Sequence, residues 1–154
     1  MGNDKINILY VDDEKNNLIS FKAIFRIKYQ VFTALSGAEA IDILDKNKIE
    51  IIITDQRMPE MTGVEFLERI LEKHPDPMRI LLTGYADMNA VIDAVNKGKI
   101  FHYLTKPWNE EELEMTIQRA LAVYKAREEE KVMNEKLSIS NDQLEFLLRQ
   151  KLLS

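Results

Sequence analysis

Five short apolar runs, Ile6–Val11, Val31–Leu35, Ile49–Thr54, Arg79–Thr83 and Ile100–Leu104, alternate with stretches of helical periodicity. Several runs are apolar on consecutive residues, the pattern of strands buried on both faces of a parallel sheet. Between them, Leu18, Phe21 and Phe25 share one face of a first helix, and Ala40, Ile41 and Leu44 one face of a second. Val64, Leu67, Ile70 and Leu71 do so in a third, and Met88, Val91, Ile92 and Val95 in a fourth. Strand-then-helix units in this number predict an α/β fold, an open sheet with helices on both faces.

Boundary signals agree with that reading. Thr62-Gly-Val-Glu65 has capping-box spacing, and Asp87 and Asn109 are placed to cap the fourth and fifth helices. Glu110, Glu111 and Glu112 follow in the fifth helix's first turn, where the helix dipole favours negative charge. Gly98 is placed to end the fourth helix, and His74-Pro-Asp-Pro77 separates the third helix from the fourth strand. From Glu110 to Ser154 there is neither glycine nor proline. That stretch predicts an extended C-terminal helix. Leu113, Ile117, Ala120, Leu121 and Tyr124 are spaced to cover the sheet, so residues 1–124 read as one domain and 125–154 as a helical extension.

Composition removes several function classes. No window approaches the roughly 20 apolar residues of a membrane span, and the N-terminus lacks the pattern of a secretory signal, which predicts a cytoplasmic chain without membrane contact. The absence of cysteine excludes disulfides and thiolate metal sites. A net charge of -5 argues against direct nucleic-acid binding. The extension holds six Lys/Arg and six Asp/Glu, so the acidic excess lies before it.

Ligand sites in open α/β sheets lie beyond the carboxyl ends of the strands. There the first strand delivers Asp12-Asp13-Glu14, the third Asp55, the fourth Thr83-Gly84 and the fifth Thr105-Lys106-Pro107. Taken singly, Asp12 or Asp13 reads as a helix cap, Asp55 as a turn start, Lys106 as a solvated charge and Thr83 as a strand-end residue. Together they form a cradle for a phosphoryl group. Clustered carboxylates repel one another, and Mg2+ resolves the conflict because it binds one or two carboxylates together with phosphate oxygens. A lysine and a hydroxyl complete the charge and hydrogen-bond complement, and Asp55 is suited to form an aspartyl phosphate. No second acid beside Asp55 is evident as the general acid or base of a self-sufficient phosphatase.

The segments "ILYVDDE", "IIITDQRMPEMTGVEFL", "ILLTGYAD" and "FHYLTKPW" resemble the receiver domain of bacterial two-component response regulators over roughly residues 5 to 124. The resemblance implies a flavodoxin-like, five-stranded parallel sheet in the order 2-1-3-4-5. It implies that Asp55 is phosphorylated by a sensor histidine kinase or phosphotransfer protein. Asp13, Asp55 and the backbone carbonyl of Arg57 would bind Mg2+, with Asp12 assisting through water. Lys106 would pair with the phosphoryl oxygens and precede a cis bond to Pro107. Thr83 would swing toward the phosphoryl group, and Tyr103 would turn into the space released. Arg57 and Tyr85 fall where side chains border the phosphoryl group, while His74 and His102 are given no role.

Residues 125–154 are below the size of an independent domain. The chain then reads either as an interaction module, signalling through its own surface or a tail-mediated homodimer, or as the receiver part of a longer regulator. The wording "DQRMP" and "GYAD" resembles receivers fused to cyclic-dinucleotide phosphodiesterases or AAA+ transcription activators. Only the length of the native reading frame separates the two. Met133, Leu137, Ser140, Leu144 and Leu147 or Leu148 follow heptad spacing, so the extension is expected to pair as a coiled coil.

Overall fold

The computed structural model describes residues 5–153, apart from the side chains of Tyr85 and Leu153. Five strands, β1 (Asn7–Val11), β2 (Gln30–Ala34), β3 (Ile51–Asp55), β4 (Met78–Thr83) and β5 (His102–Thr105), form one sheet in the order β2-β1-β3-β4-β5. Every pairing is parallel. The helices are α1 (Lys15–Phe25), α2 (Gly37–Lys46), α3 (Gly63–Ile70), α4 (Met88–Asn96) and α5 (Glu110–Leu153). Their packing divides the chain at Leu121–Ala122 into two units.

Burial along the strands follows their place in the sheet. Central β3 and β4 are buried at every position, which is why Ile51–Ile53 and Ile80–Leu82 are apolar without alternation, whereas edge strands β2 and β5 are partly open. Within the sheet, Leu9, Val11, Ile52 and Leu81 join Ala40 and Leu44 of α2, Phe66, Leu67 and Ile70 of α3, and Val91 and Ala94 of α4 in one core cluster. Alternate residues point the other way. Tyr10 stacks on Phe21 of α1 with centroids 4.3 Å apart. At the far end of α1, the Tyr29 hydroxyl bonds Glu114 of α5 at 2.8 Å. Leu113, Ile117 and Ala120 of α5 are fully buried.

Three details depart from the sequence reading. Ile92 was expected on the buried face of α4, but it is 44% exposed and Ala94 lies inward instead. Phe66, not assigned to the core face of α3, is fully buried there. Asp87 occupies the N-cap position of α4 but makes no capping bond. The other signals hold: Thr62 and Glu65 form a reciprocal capping box, Asn109 Oδ1 accepts from the Glu112 amide at 2.6 Å, and Gly98 adopts φ +73 just past α4. In the second unit, α5 exposes Met133, Leu137, Ile139, Leu144, Phe146, Leu147 and Leu148 to water.

Candidate functional site

β1 lies between β2 and β3, so the chain leaves β1 toward one side of the sheet and returns on the other. That reversal opens a crevice at the carboxyl ends of β1 and β3, where the expected acids meet. Asp12 follows the last residue of β1 and is fully buried, Asp13 beside it is exposed, and Asp55 ends β3 at 5% exposure. One carboxylate oxygen from each lies within 4.8 Å of the others.

Asp12 is held by donors that the sequence reading did not single out. Its Oδ2 accepts from the Tyr10 hydroxyl at 2.9 Å and the Asn17 amide at 3.1 Å, and its Oδ1 from the Glu14 backbone N–H at 3.0 Å. Burial, then the adjacent Asp12 charge, pushes the Tyr10 phenol well above its ordinary range, so it remains a donor at any physiological pH. The available signal was a phenol inside an otherwise aliphatic strand two residues before the acid.

Asp55 has one committed and one open oxygen. Its Oδ1 pairs with Lys106 Nζ at 2.6 Å and accepts from the Gln56 backbone N–H at 3.0 Å. Oδ2 has no hydrogen bond among the described residues. Burial raises the Asp55 carboxyl above the ordinary range; Lys106 opposes that shift and Asp12 adds to it. Lys106 also donates its backbone N–H to the Thr83 carbonyl at 2.9 Å, tying the tips of β4 and β5 together. The Lys106–Pro107 bond is cis. Thr83 is fully buried and its hydroxyl donates to the Gly84 carbonyl at 3.1 Å, while Tyr103 on β5 is half-buried.

The loop after Asp55 is fixed from both ends. The Gln56 side chain accepts from the Val64 N–H at 2.9 Å at the start of α3, and the Gln56 carbonyl accepts from the Gly63 N–H at 2.9 Å. A Cβ at Gly63 would lie 2.4 Å from the Asp55 carbonyl oxygen, so only glycine lets α3 begin this close to the acid. Gln56 and Gly63 were both missed; a glycine at the first position of a helix, where other residues are preferred, was the signal. Arg57 reaches from this loop to Asp87, with Nε 3.0 Å from Oδ2. The side chain of Tyr85 lies outside the described residues.

The donors fit magnesium. They are all hard oxygens, and six ligands about 2.0–2.1 Å from one ion stand roughly 3–4 Å from their neighbours and partners across it. Oxygens already within 4.8 Å of one another need only a small closure. Beside the cluster, Tyr10, Asn17, Ser20, Lys106, Pro107 and Trp108 line a cavity of about 390 Å³, and Trp108 packs edge-on against Phe21.

A family model described as response regulator receiver domain matches residues 8–118. The hydrogenase transcriptional regulatory protein HoxA of Bradyrhizobium diazoefficiens is 34% identical over 122 residues, which make up 79% of this chain and 25% of that protein. The chain thus spans about a quarter of the length of the curated relatives it matches. A response regulator receiver domain protein from Clostridium thermocellum has a similar crystal structure, with TM-score 0.75 and 34% identity over 79% of this chain and 98% of that one. A structure described as adenylate cyclase from Rhodopirellula baltica matches with TM-score 0.83 and 28% identity over 86% of this chain and 98% of that one. With its 2-1-3-4-5 parallel sheet and its acids at the strand tips, the chain belongs to the response regulator receiver domain family.

Proposed function

We propose that Asp55 is the phosphoacceptor of a signalling switch and takes its phosphoryl group from a phosphohistidine on a sensor histidine kinase or phosphotransfer protein. The observation that carries this reading is the asymmetry of Asp55: Oδ1 is held by Lys106 and the Gln56 amide, and Oδ2 has no hydrogen bond among the described residues. Oδ2 forms the new bond to phosphorus as the phosphorus–nitrogen bond breaks, and that electron pair leaves with the imidazole. Asp13, Asp55 and the Arg57 carbonyl hold Mg2+, with Asp12 acting through water; the ion supplies positive charge to the phosphoryl oxygens. Lys106 neutralises a further phosphoryl oxygen. Thr83 exchanges its bond to the Gly84 carbonyl for one to the phosphoryl group, and Tyr103 turns into the space released, which makes the pair a two-state element.

On this reading the chain is a cytoplasmic switch rather than an enzyme with a separate substrate, and it catalyses its own phosphorylation and slow dephosphorylation. Among the described residues no helix is long and apolar enough to cross a membrane. Residues 1–124 form the receiver, and residues 125–154 form an extension that pairs with a second copy. A second reading is favoured by relatives that are transcriptional regulators about four times the length matched. In it the same switch controls an attached output, transcription-activating or enzymatic. Neither reading calls for direct nucleic-acid binding by this chain.

Acetyl phosphate with Mg2+ should add one phosphoryl mass to the protein, and Asp55→Asn or a chelator should prevent it. Trp108 fluorescence should respond to Mg2+ and to beryllofluoride. Equal labelling of the variant, or labelling indifferent to chelator, overturns the assignment.

A further inference from the structure

We propose that the Arg57 guanidinium is a ligand of the phosphoryl group on Asp55, held in the resting chain by Asp87, and that its departure frees the Asp87 carboxylate to cap α4. This rests on the switch reading above. The Arg57–Asp87 pair spans the mouth of the site, joining the loop after Asp55 to the segment after Thr83.

The resting state of Asp87 is anomalous for its position. Ser36 and Thr62, at the N-caps of α2 and α3, have extended backbones (ψ 165 and ψ 166), and each side chain accepts from an amide of the first turn. Asn109 does the same for α5. Asp87 has φ -107 and ψ 14, belongs to a 3-10 turn over Tyr85–Asp87, and makes no capping bond. Nor does α4 have an acid in its first turn. The Asp87 carboxylate is engaged by Arg57 instead.

The exchange is favoured by charge and costs little packing. The Arg57 side chain is 74% exposed in the pair, so moving it strips no core. An ion pair with so exposed a partner is weak. A phosphoryl group on Asp55, two residues away, carries about -1.5 to -2 charge in place of the carboxylate's -1, and offers oxygens that a guanidinium binds in pairs. Once released, Asp87 is placed at the N-cap position to serve the amides of Asn89 and Ala90, the partners of a capping side chain. Capping requires the Asp87 backbone to become extended, which undoes the 3-10 turn and shifts the start of α4. Phosphorylation at β3 is thereby read out at α4 by one arginine changing partners.

Hydrogen exchange at the Asn89 and Ala90 amides of the whole chain tests this. Beryllofluoride with Mg2+ should slow both in the wild type by about fivefold, the worth of a typical cap. Arg57→Met should slow them to that extent without any phosphoryl mimic. Asp87→Asn, which loses the charge but keeps capping capacity, should do likewise, whereas Asp87→Ala should leave them fast in both states. Wild-type rates in resting Arg57→Met, or full slowing in Asp87→Ala under beryllofluoride, overturn the proposal. A wild type that acetyl phosphate fails to label at Asp55 is a failure of the switch reading; the Arg57→Met arm, which needs no phosphoryl group, still decides the competition for Asp87.

Discussion

Asp55→Asn should make the metal-free protein more stable. The Asp55 side chain is 8% exposed and faces buried Asp12, while its partner Lys106 is 36% exposed. Breaking an ion pair whose cation can rehydrate costs about 0–1 kcal/mol. A buried carboxylate carries an effective penalty of several kcal/mol, which hydrogen bonds and a counter-charge only partly offset. Burial raises the Asp55 carboxyl above its ordinary range and Lys106 opposes the shift, the direction expected where the penalty outweighs the pair. Removing the charge should therefore gain about 1–2 kcal/mol, or roughly 3–8 °C in Tm for a domain of this size. The pH dependence has a definite sign. A raised folded-state value means that the folded chain holds the proton more tightly, so the wild type is most stable with Asp55 protonated and loses stability as pH rises from the ordinary 3.8 through the folded value. The advantage of Asp55→Asn is thus full at pH 7 and fades toward pH 4. Mg2+ should close the gap from the other direction: at ten times its Kd it stabilises the wild type by about 1.4 kcal/mol and the variant by less. Thermal unfolding in chelator and in Mg2+, at pH 7 and pH 4, measures all of this. A variant no more stable than the wild type in chelator at pH 7 refutes the reasoning.

Three other changes probe separate parts of the chain. Gly63→Ala forces a Cβ against the Asp55 carbonyl oxygen at 2.4 Å and the Leu81 side chain at 2.7 Å; it should cost about 1–3 kcal/mol and slow acetyl phosphate labelling, and normal labelling would count against the close-approach argument. Arg79→Met removes a buried guanidinium that bonds the carbonyls of Pro75, Pro77, Gly98 and Lys99. It should cost about 2–4 kcal/mol in urea unfolding with the labelling rate unchanged, because Arg79 lies at the opposite end of β4 from Thr83. Light scattering at micromolar concentration should find residues 1–154 dimeric and a chain ending at Tyr124 shifted toward monomer; a monomeric long chain ends the coiled-coil idea.

The strands and the acidic cluster were legible for the same reason: few residue types satisfy what those places demand. A strand covered on both faces has to be apolar along most of its length, as Ile51–Ile53 of β3 and Ile80–Leu82 of β4 are, and a cluster of carboxylates at strand tips is a demand few sequences meet by chance. The residues that position the acids were harder to read. Tyr10 and Asn17 act on Asp12 through single hydrogen bonds, and Gln56 works as much through its backbone as through its side chain. Many residues could fill those roles, so composition leaves no mark of them. Gly63 acts by lacking a side chain.

Two of the three misreadings, Ile92 and Asp87, fall on α4 and have a common physical origin. Hydrophobicity favoured Ile92 over Ala94 for the inward face, yet a helix that packs closely on a sheet needs a small residue at the contact, and Ala94 is 2% exposed. Local capping rules assigned Asp87 to its own helix, yet a cation 30 residues earlier in the chain holds it. Each rule looks only at neighbours in sequence, and α4 is the helix whose start is governed from elsewhere. An uncapped first turn behind a 3-10 segment, an outward isoleucine and an ion pair to the loop after Asp55 leave α4 less committed to one arrangement than α3, whose capping box closes on itself. A switch needs such an element: two arrangements close in free energy, with the choice between them set by charge at the site. Under the proposed exchange, α4 is the helix at which the state of Asp55 is felt.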